Sequence, residues 1–403
     1  MKAFRKFDHD ACRVEDHTIR SATFEGMCDD AGRPTDEYRR HYEALARGGV
    51  AKIITGFAYI SVQGRAIHPG QAGIDSDEKI PFFKAVTDAV HRHGAEIYLQ
   101  IAHAGRQTSK SVTNTDIVAP TPQKSRYFGG KPQALTLSQI KAVVADFAQA
   151  ALRAKSAGFD GVQLHAAHGY LIHEFINPVV NKRTDEYGTG EPHRPGIRFL
   201  TEIVARTREL CGADFPILVK ISAGDGKEDA ANHFLHLIQA LDKLQLAAIE
   251  VSYGTMENAF NIFRGESIPY ETILRYNFRY GTDSAVRKFL WRVFAAPILQ
   301  HRVIKFSPNY NLKYARLAKH GTDTPIVCVG GFRTKSSIHE ALRQGSVDYV
   351  SMCRPFICEP DLMKKFARHD DYTSLCRNCN ICAVMCDSTK STRCYCVTKE
   401  RKR

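Results

Sequence analysis

No apolar run in this sequence approaches the roughly 18–20 residues of a membrane-spanning helix. The opening stretch, MKAFRKFDHDACRVEDHT, lacks the apolar centre of a signal peptide, so a cytoplasmic protein is expected. No G-x-G-x-x-G follows a candidate strand, and a dinucleotide-binding unit of that kind is not expected. Acidic residues are in deficit, 43 against 56 Lys and Arg, which gives a formal charge of +13. That excess is spread along the chain, with a basic region around Arg275 to Lys305 and a KERKR terminus. No nucleic-acid motif accompanies it and no apolar run would span a bilayer, so neither nucleic acid nor a membrane is the expected partner, and anionic small molecules are preferred. Tryptophan is almost missing: Trp291 stands alone.

Cysteine is not scarce. Twelve in a chain read as cytoplasmic argue against a disulfide framework, and six of them crowd the last 28 residues. The crowding marks a separate functional unit, so residues 1–360 are read as one domain and 361–403 as a cysteine-rich segment. The 403 residues and 43% hydrophobic content suit a large soluble α/β core.

Eight candidate strands recur with helical stretches between them: Thr18 to Ala22, Ala51 to Thr55, Glu96 to Ile101, Gly161 to Leu164, Pro216 to Ile221, Ala247 to Val251, Pro325 to Val329 and Asp348 to Ser351. Eight such units predict a closed (β/α)8 TIM barrel, with functional groups just past the carboxyl ends of the strands. Among the helices, SQIKAVVADFAQAALRAKSAG has Ser138 as its expected N-cap and Gly158 as its stop.

The chemistry is expected at the end of the fourth strand, in VQLHAAHGYLIHEF, Val162 to Phe175. His165 and His168 are three apart, so helical backbone there would present two imidazoles to one side, with Tyr170 just beyond. Two neutral donors and a phenol can grip and protonate a polarised group. H-x-x-H can also hold a metal, but no third ligand or general base stands nearby.

HAAHGYLIHEFINPVVNKRTDEYG resembles the signature of the Old Yellow Enzyme family of flavin-dependent ene-reductases, which runs close to H-x-A-H-G-Y-L-[LI]-x-[QE]-F-x-[SN]-P-x-x-N-x-R-T-D-x-Y-G. The resemblance implies an FMN cofactor whose ring lies against Ala22, Thr23 and Gly56 and beside His165. EIYLQIAHAGR resembles the family's Q-L-x-H-A-G-R, which gives Gln100 the pyrimidine edge of the flavin. In PILVKISAGD, Lys220 takes the place of a cation, often Arg in the family, beside flavin N1 and O2. PIVCVGGFRT and VDYVSMCRPFICEPDL resemble the phosphate-binding elements, which implies Gly330, Gly331 and Arg354. Cys353 stands where the family often has Gly.

The tail reads CRNCNICAVMCDSTKSTRCYC. Cys376, Cys379, Cys382 and Cys394 fit a [4Fe–4S] cluster, and they also fit zinc. Resemblance to iron–sulfur relatives of the trimethylamine dehydrogenase and dienoyl-CoA reductase types favours the cluster, with Cys396 as a substitute for Cys394. The dienoyl-CoA reductases carry a catalytic His in the sixth loop, whereas none lies between Tyr253 and Pro269 here. The basic, aromatic insertion that follows, through about His320, is expected to shape a lid or a subunit contact.

The function implied is reduction of an activated C=C bond. His165 and His168 would hold the substrate oxygen, flavin N5 would deliver hydride, and Tyr170 would donate the proton. NAD(P)H or an external electron carrier would supply electrons, and homo-oligomers are compatible with this reading. The alternatives are an amine or ether dehydrogenase of the trimethylamine dehydrogenase type, or a flavin and iron–sulfur electron-transfer protein.

Overall fold

The structure, a computed structural model, describes residues 4–5, 13–190, 195–224 and 230–396. The KERKR terminus lies outside the described residues. Apolar and β-branched runs bounded by helices form eight strands: β1 Thr18–Arg20, β2 Lys52–Ile54, β3 Glu96–Ala102, β4 Gly161–Ala166, β5 Ile217–Ser222, β6 Ala248–Ser252, β7 Ile326–Val329 and β8 Tyr349–Met352. Each pairs in parallel with the next, and β8 returns to β1 with Ser351 opposite Ile19, which closes a (β/α)8 barrel. The eight runs read from the sequence are these strands, with ends that coincide or differ by at most two residues.

The crossover helices are α1 Asp36–Arg47, α2 Ile80–His91, α3 Leu137–Ser156, α4 Arg198–Cys211, α5 Ala230–Asp242, α6 Leu312–His320 and α7 Lys335–Arg343, followed by α8 Leu362–Arg368. Helix α3 departs from expectation at its start. Its N-cap is Thr136, whose hydroxyl accepts from the Gln139 amide while the Gln139 side chain accepts from the Thr136 amide, a reciprocal capping box two residues before Ser138. Its stop is as read, since Gly158 takes a φ of 85°.

Side chains alternate across each strand, and that period of two builds the barrel interior from the bottom up. The outward set, including Ile97, Leu99, Val162, Leu164, Val219, Ile249 and Val350, packs with the helices in the main core. At the amino-terminal end the inward set is apolar: Ile19, Tyr98, Leu218, Ala248, Val327 and Tyr349 cluster around Phe4. The Phe4 ring sits 5.4 Å from Tyr98 and 5.1 Å from Tyr349, plugging that end. Two residues further along, five of these strands turn polar inside, at Ser21, Gln100, Lys220, Glu250 and Ser351, with Gln163 from β4, while β7 keeps Val329. One more step reaches His165, Ser222 and Ser252 at the carboxyl mouth. The barrel is therefore an apolar base, a polar middle and a mouth of imidazole and hydroxyl.

Candidate active site

The polar middle is one hydrogen-bonded unit. Gln100 Nε2 donates to Gln163 Oε1 at 2.7 Å, and Gln163 Nε2 donates to Glu250 Oε2 at 2.9 Å. Ser21 and Ser351 hydroxyls donate to Glu250 Oε1 at 2.5 and 2.6 Å. Lys220 Nζ donates to Ser21 Oγ at 2.9 Å and lies 3.3 Å from Glu250 Oε2. A fully buried carboxylate without partners would be forced neutral. Here burial raises the Glu250 carboxyl, but Lys220 first and then the Ser21, Ser351 and Gln163 donors leave it below the usual carboxylate range. Gln100 and Lys220 are thus brought together by two residues that the sequence reading missed, Gln163 and Glu250. Both point inward from mostly apolar strands, and a charged residue in the run AAIEVS was the available signal.

Above this unit, β4 ends on His165 and the chain turns sharply. His168 has a φ of 60° and Gly169 a φ of 86°, two left-handed residues in succession, so the expected helical placement of the imidazoles is not found. Gly169 is required twice over, because a Cβ there would stand 2.0 Å from Gln107 Nε2. The turn is pinned on every side. The His168 amide donates to Ser222 Oγ at 3.1 Å, its carbonyl accepts from Gln107 Nε2 and the Met256 amide at 3.0 Å, and its Nε2 pairs with Ser252 Oγ at 2.8 Å. As a result the rings meet edge to face around His165, with His168 at 5.1 Å and Tyr170 at 4.8 Å between centroids. Phe57 is the third ring against His165, 6.0 Å from it and 5.3 Å from Tyr170.

Burial, then the Lys220 charge and His173, hold His165 well below the ordinary imidazole value; burial, then His165, does the same to His168. Both are neutral near pH 7. Burial pushes the Tyr170 phenol up, helped by Asp387 and Cys386 of the tail, so it keeps its proton.

Along the β1 and β2 ends, Thr23 Oγ1 donates to the Ser21 carbonyl at 3.0 Å and Cys353 Sγ to the Ala22 carbonyl at 3.7 Å. The Gly56 amide donates to Glu25 Oε1 at 2.6 Å, and a Cβ at Gly56 would stand 2.2 Å from the other Glu25 oxygen. Gly330 and Gly331, with φ of 133° and 89°, lie under the loop 306–311: a Cβ on the first would meet the Tyr310 ring at 2.6 Å, and on the second the Asn309 amide at 2.4 Å. Arg354 Nη1 donates to the Arg264 carbonyl at 2.7 Å and to Asn380 Oδ1 at 2.6 Å. The Arg264 guanidinium stacks 4.3 Å from the Tyr310 ring centre. Arg264 Nε and Arg333 Nε are buried without a partner among the described residues. Neither arginine was singled out from the sequence.

The tail cysteines divide in two. Cys376, Cys379, Cys382, Cys394 and Cys396 line one concavity together with Arg354 and with Cys358, which the sequence reading passed over. Cys379 and Cys396 sulfurs are 3.5 Å apart. Among the described residues no three His, Cys, Asp or Glu side chains converge as ligands of a metal ion. Cys386 faces elsewhere, against Thr392 Oγ1 at 3.6 Å. The turn it begins roofs the barrel mouth: Asp387 Oδ1 lies 2.9 Å from His68 Nδ1, and the Thr392 amide donates to the Glu25 carbonyl at 2.7 Å.

Residues 15–266, which span β1 to β6 and the turn just described, match the model of the NADH:flavin oxidoreductase / NADH oxidase family. The chain belongs to this family. A curated relative described as a metal reductase, from Desulforamulus reducens, is 32% identical over 87% of this chain and 46% of its own length. An NADH oxidase from Thermoanaerobacter brockii is 32% identical over 85% of this chain and 47% of its own. An NADPH dehydrogenase from Listeria monocytogenes is 39% identical over 60% of this chain and 71% of its own. The chain thus spans about half the length of the first two. Among solved structures, a 2-naphthoyl-CoA reductase complex superposes with a TM-score of 0.76 at 22% identity, over 96% of this chain and 56% of that one, which supports the barrel fold. Membership in the Old Yellow Enzyme family, read above from the His165 to Gly188 signature, is therefore shown.

Donors at both ends of the mouth fit FMN. Lys220 and Gln100 would supply a cation and an amide to such a ring, and the unpartnered Arg264 nitrogen beside Arg354 would suit its phosphate.

Proposed function

We propose that the chain is an FMN-dependent oxidoreductase acting on an activated C=C bond, with NAD(P)H or a carrier protein as electron source. What carries this reading is a single juxtaposition: two neutral imidazoles and a protonated phenol pack edge to face, centred on His165, directly above the buried Lys220–Glu250 unit. In it, Ala22, Thr23, Gly56 and His165 would flank the flavin ring, Gln100 and Lys220 would take its pyrimidine edge, and Gly330, Gly331 and Arg354, with Arg264, would hold its phosphate. Bound there, FMN supplies the hydride.

The chain's own residues do the rest. His165 and His168, each neutral, donate a hydrogen bond to a substrate carbonyl oxygen and draw electron density out of the conjugated alkene. Ser252 fixes the ring plane of His168. Tyr170 holds a proton on its phenol and passes it to the substrate carbon opposite the hydride. Phe57 and the Cys386–Thr392 turn keep water away. In the cysteine concavity, Cys376, Cys379, Cys382 and Cys394 or Cys396 would hold a [4Fe–4S] cluster, with zinc as the other occupant such thiols accept.

A second reading, electron transfer out through that cluster, is favoured by the concavity and by the metal reductase relative. Anaerobic stopped-flow on Tyr170→Phe tests the first. Reoxidation of the reduced enzyme by a cyclic enone is expected to slow about 10²- to 10⁴-fold, while flavin reduction by NAD(P)H stays within about threefold. Equal slowing of both half-reactions would remove Tyr170 from its role.

A further inference from the structure

The insertion after β6 lies beyond the residues that match the family model, and the site described above uses none of its helical run. That run is continuous from Ala285 to His301: an α-helical turn and a half, a π-turn over Trp291–Ala295, and a second short α-helix. Ser284 caps it by accepting from the Arg287 amide. A helix in a globular protein is normally held by burying one face. Here Val286, Phe289, Leu290, Val293, Phe294 and Ile298, spaced at three- and four-residue intervals, stand in solvent, with exposures of 68% at Val286, 62% at Phe289, 63% at Phe294 and 60% at Ile298. Ala296 is the one buried residue of the run. Six large apolar side chains on one stretch form the kind of patch that marks an interaction surface.

What covers it is indicated by charge. Residues 272–322 carry ten Lys and Arg against one Asp, most of the chain's +13. Arg292 is paired with Glu271 at 2.9 Å, whereas Arg287, Lys288, Arg302 and Lys305 form no ion pair among the described residues. Two copies of the chain apposed through this face would bring those cations together, which disfavours self-association. An apolar stripe with aromatic members, flanked by unpaired cations, suits a surface that is apolar inside and anionic outside. We propose that the 285–301 helix lies in the headgroup region of an anionic lipid bilayer and seats the barrel on a membrane surface. None of the described helices is long and apolar enough to cross a membrane, so the mode is attachment and not spanning. Composition alone argued against a membrane partner; it could not show which apolar residues the fold leaves uncovered.

The only tryptophan, Trp291, lies mid-run and reports on the contact. The full chain is titrated with vesicles of phosphatidylcholine alone and with vesicles containing phosphatidylglycerol, following Trp291 emission and co-sedimentation. Anionic vesicles are expected to pellet the protein and shift the emission to the blue, with brominated lipid quenching it, and salt to reverse the binding. Phe289→Ser/Phe294→Ser and, separately, Arg287→Gln/Lys288→Gln should each weaken binding at least tenfold with unchanged circular dichroism, since these side chains stand largely outside the packed core. Absence of binding at low salt, or equal binding by the Phe variant, overturns the proposal. So does a lipid-free dimer that the Phe variant abolishes, which would assign the stripe to a second copy.

Discussion

A charged group inside a barrel has to be satisfied where it stands, and Glu250 shows the consequence. Four neighbours from β1, β4, β5 and β8 converge on its two oxygens. Removing one of them exposes what the arrangement holds. Lys220→Met leaves a buried carboxylate without its cation and is expected to cost about 3–5 kcal/mol in urea unfolding. The double variant Lys220→Met/Glu250→Gln should lose less than the sum of the single changes by about 1 kcal/mol or more, because the unpaired charge is gone; strict additivity would deny the coupling. His165, His168 and Tyr170 were legible in the sequence because one contiguous signature carries them. Gln163, Glu250 and Ser252 were not: each acquires its role from strands tens of residues away, and within GVQLHA or AIEVS nothing marks it off from an ordinary polar position. Cys358 was lost for a similar reason, lying outside the dense run it joins in space.

Elements were more legible than their ends. Period and punctuation gave all eight barrel strands, since a buried parallel strand is a short apolar run whatever its partners. The turn after β4 lacks the helical backbone on which the one-sided placement of the imidazoles was conditional, because His168 takes a φ of 60°, uncommon for a residue other than glycine. The N-cap of α3 was misread. Thr136, Ser138 and the Gln139 side chain all offer capping chemistry, and only Thr136 has its Gln three residues on. Thr136→Ala is therefore expected to cost about 1 kcal/mol of stability, and Ser138→Ala less than about 0.5 kcal/mol. Equal losses in parallel urea titrations would mean the box does not hold the helix.

At the scale of the whole molecule, burial of ionisable groups near the mouth sets how stability follows pH. His41 and His103 are held at about 3 and His173 at about 4, chiefly by burial, with His165 and His168 also well below their ordinary 6.5. As pH falls below 6.5 the unfolded chain takes up protons that the folded chain refuses, so acid removes stability. Glu25 and Glu174 behave oppositely. Burial lifts them to about 7 and about 8 from an ordinary 4.5, so as pH rises through that interval the folded chain keeps protons that the unfolded chain has released, and stability falls. Between 4.5 and 6.5 these five imidazoles, with His17 lowered likewise by its burial, outweigh the two carboxyls; above 6.5 Glu25 and Glu174 set the slope. Tm is therefore expected to peak near pH 6.5 and to decline on both sides, measured by scanning calorimetry in buffers of matched ionic strength. Glu174→Gln should flatten the decline toward pH 8 and leave the acid limb in place. A Tm that climbs steadily from pH 5 to pH 8 would show that these carboxyls are ionised in the folded chain and that Arg106, 3.8 Å from Glu174, outweighs the burial.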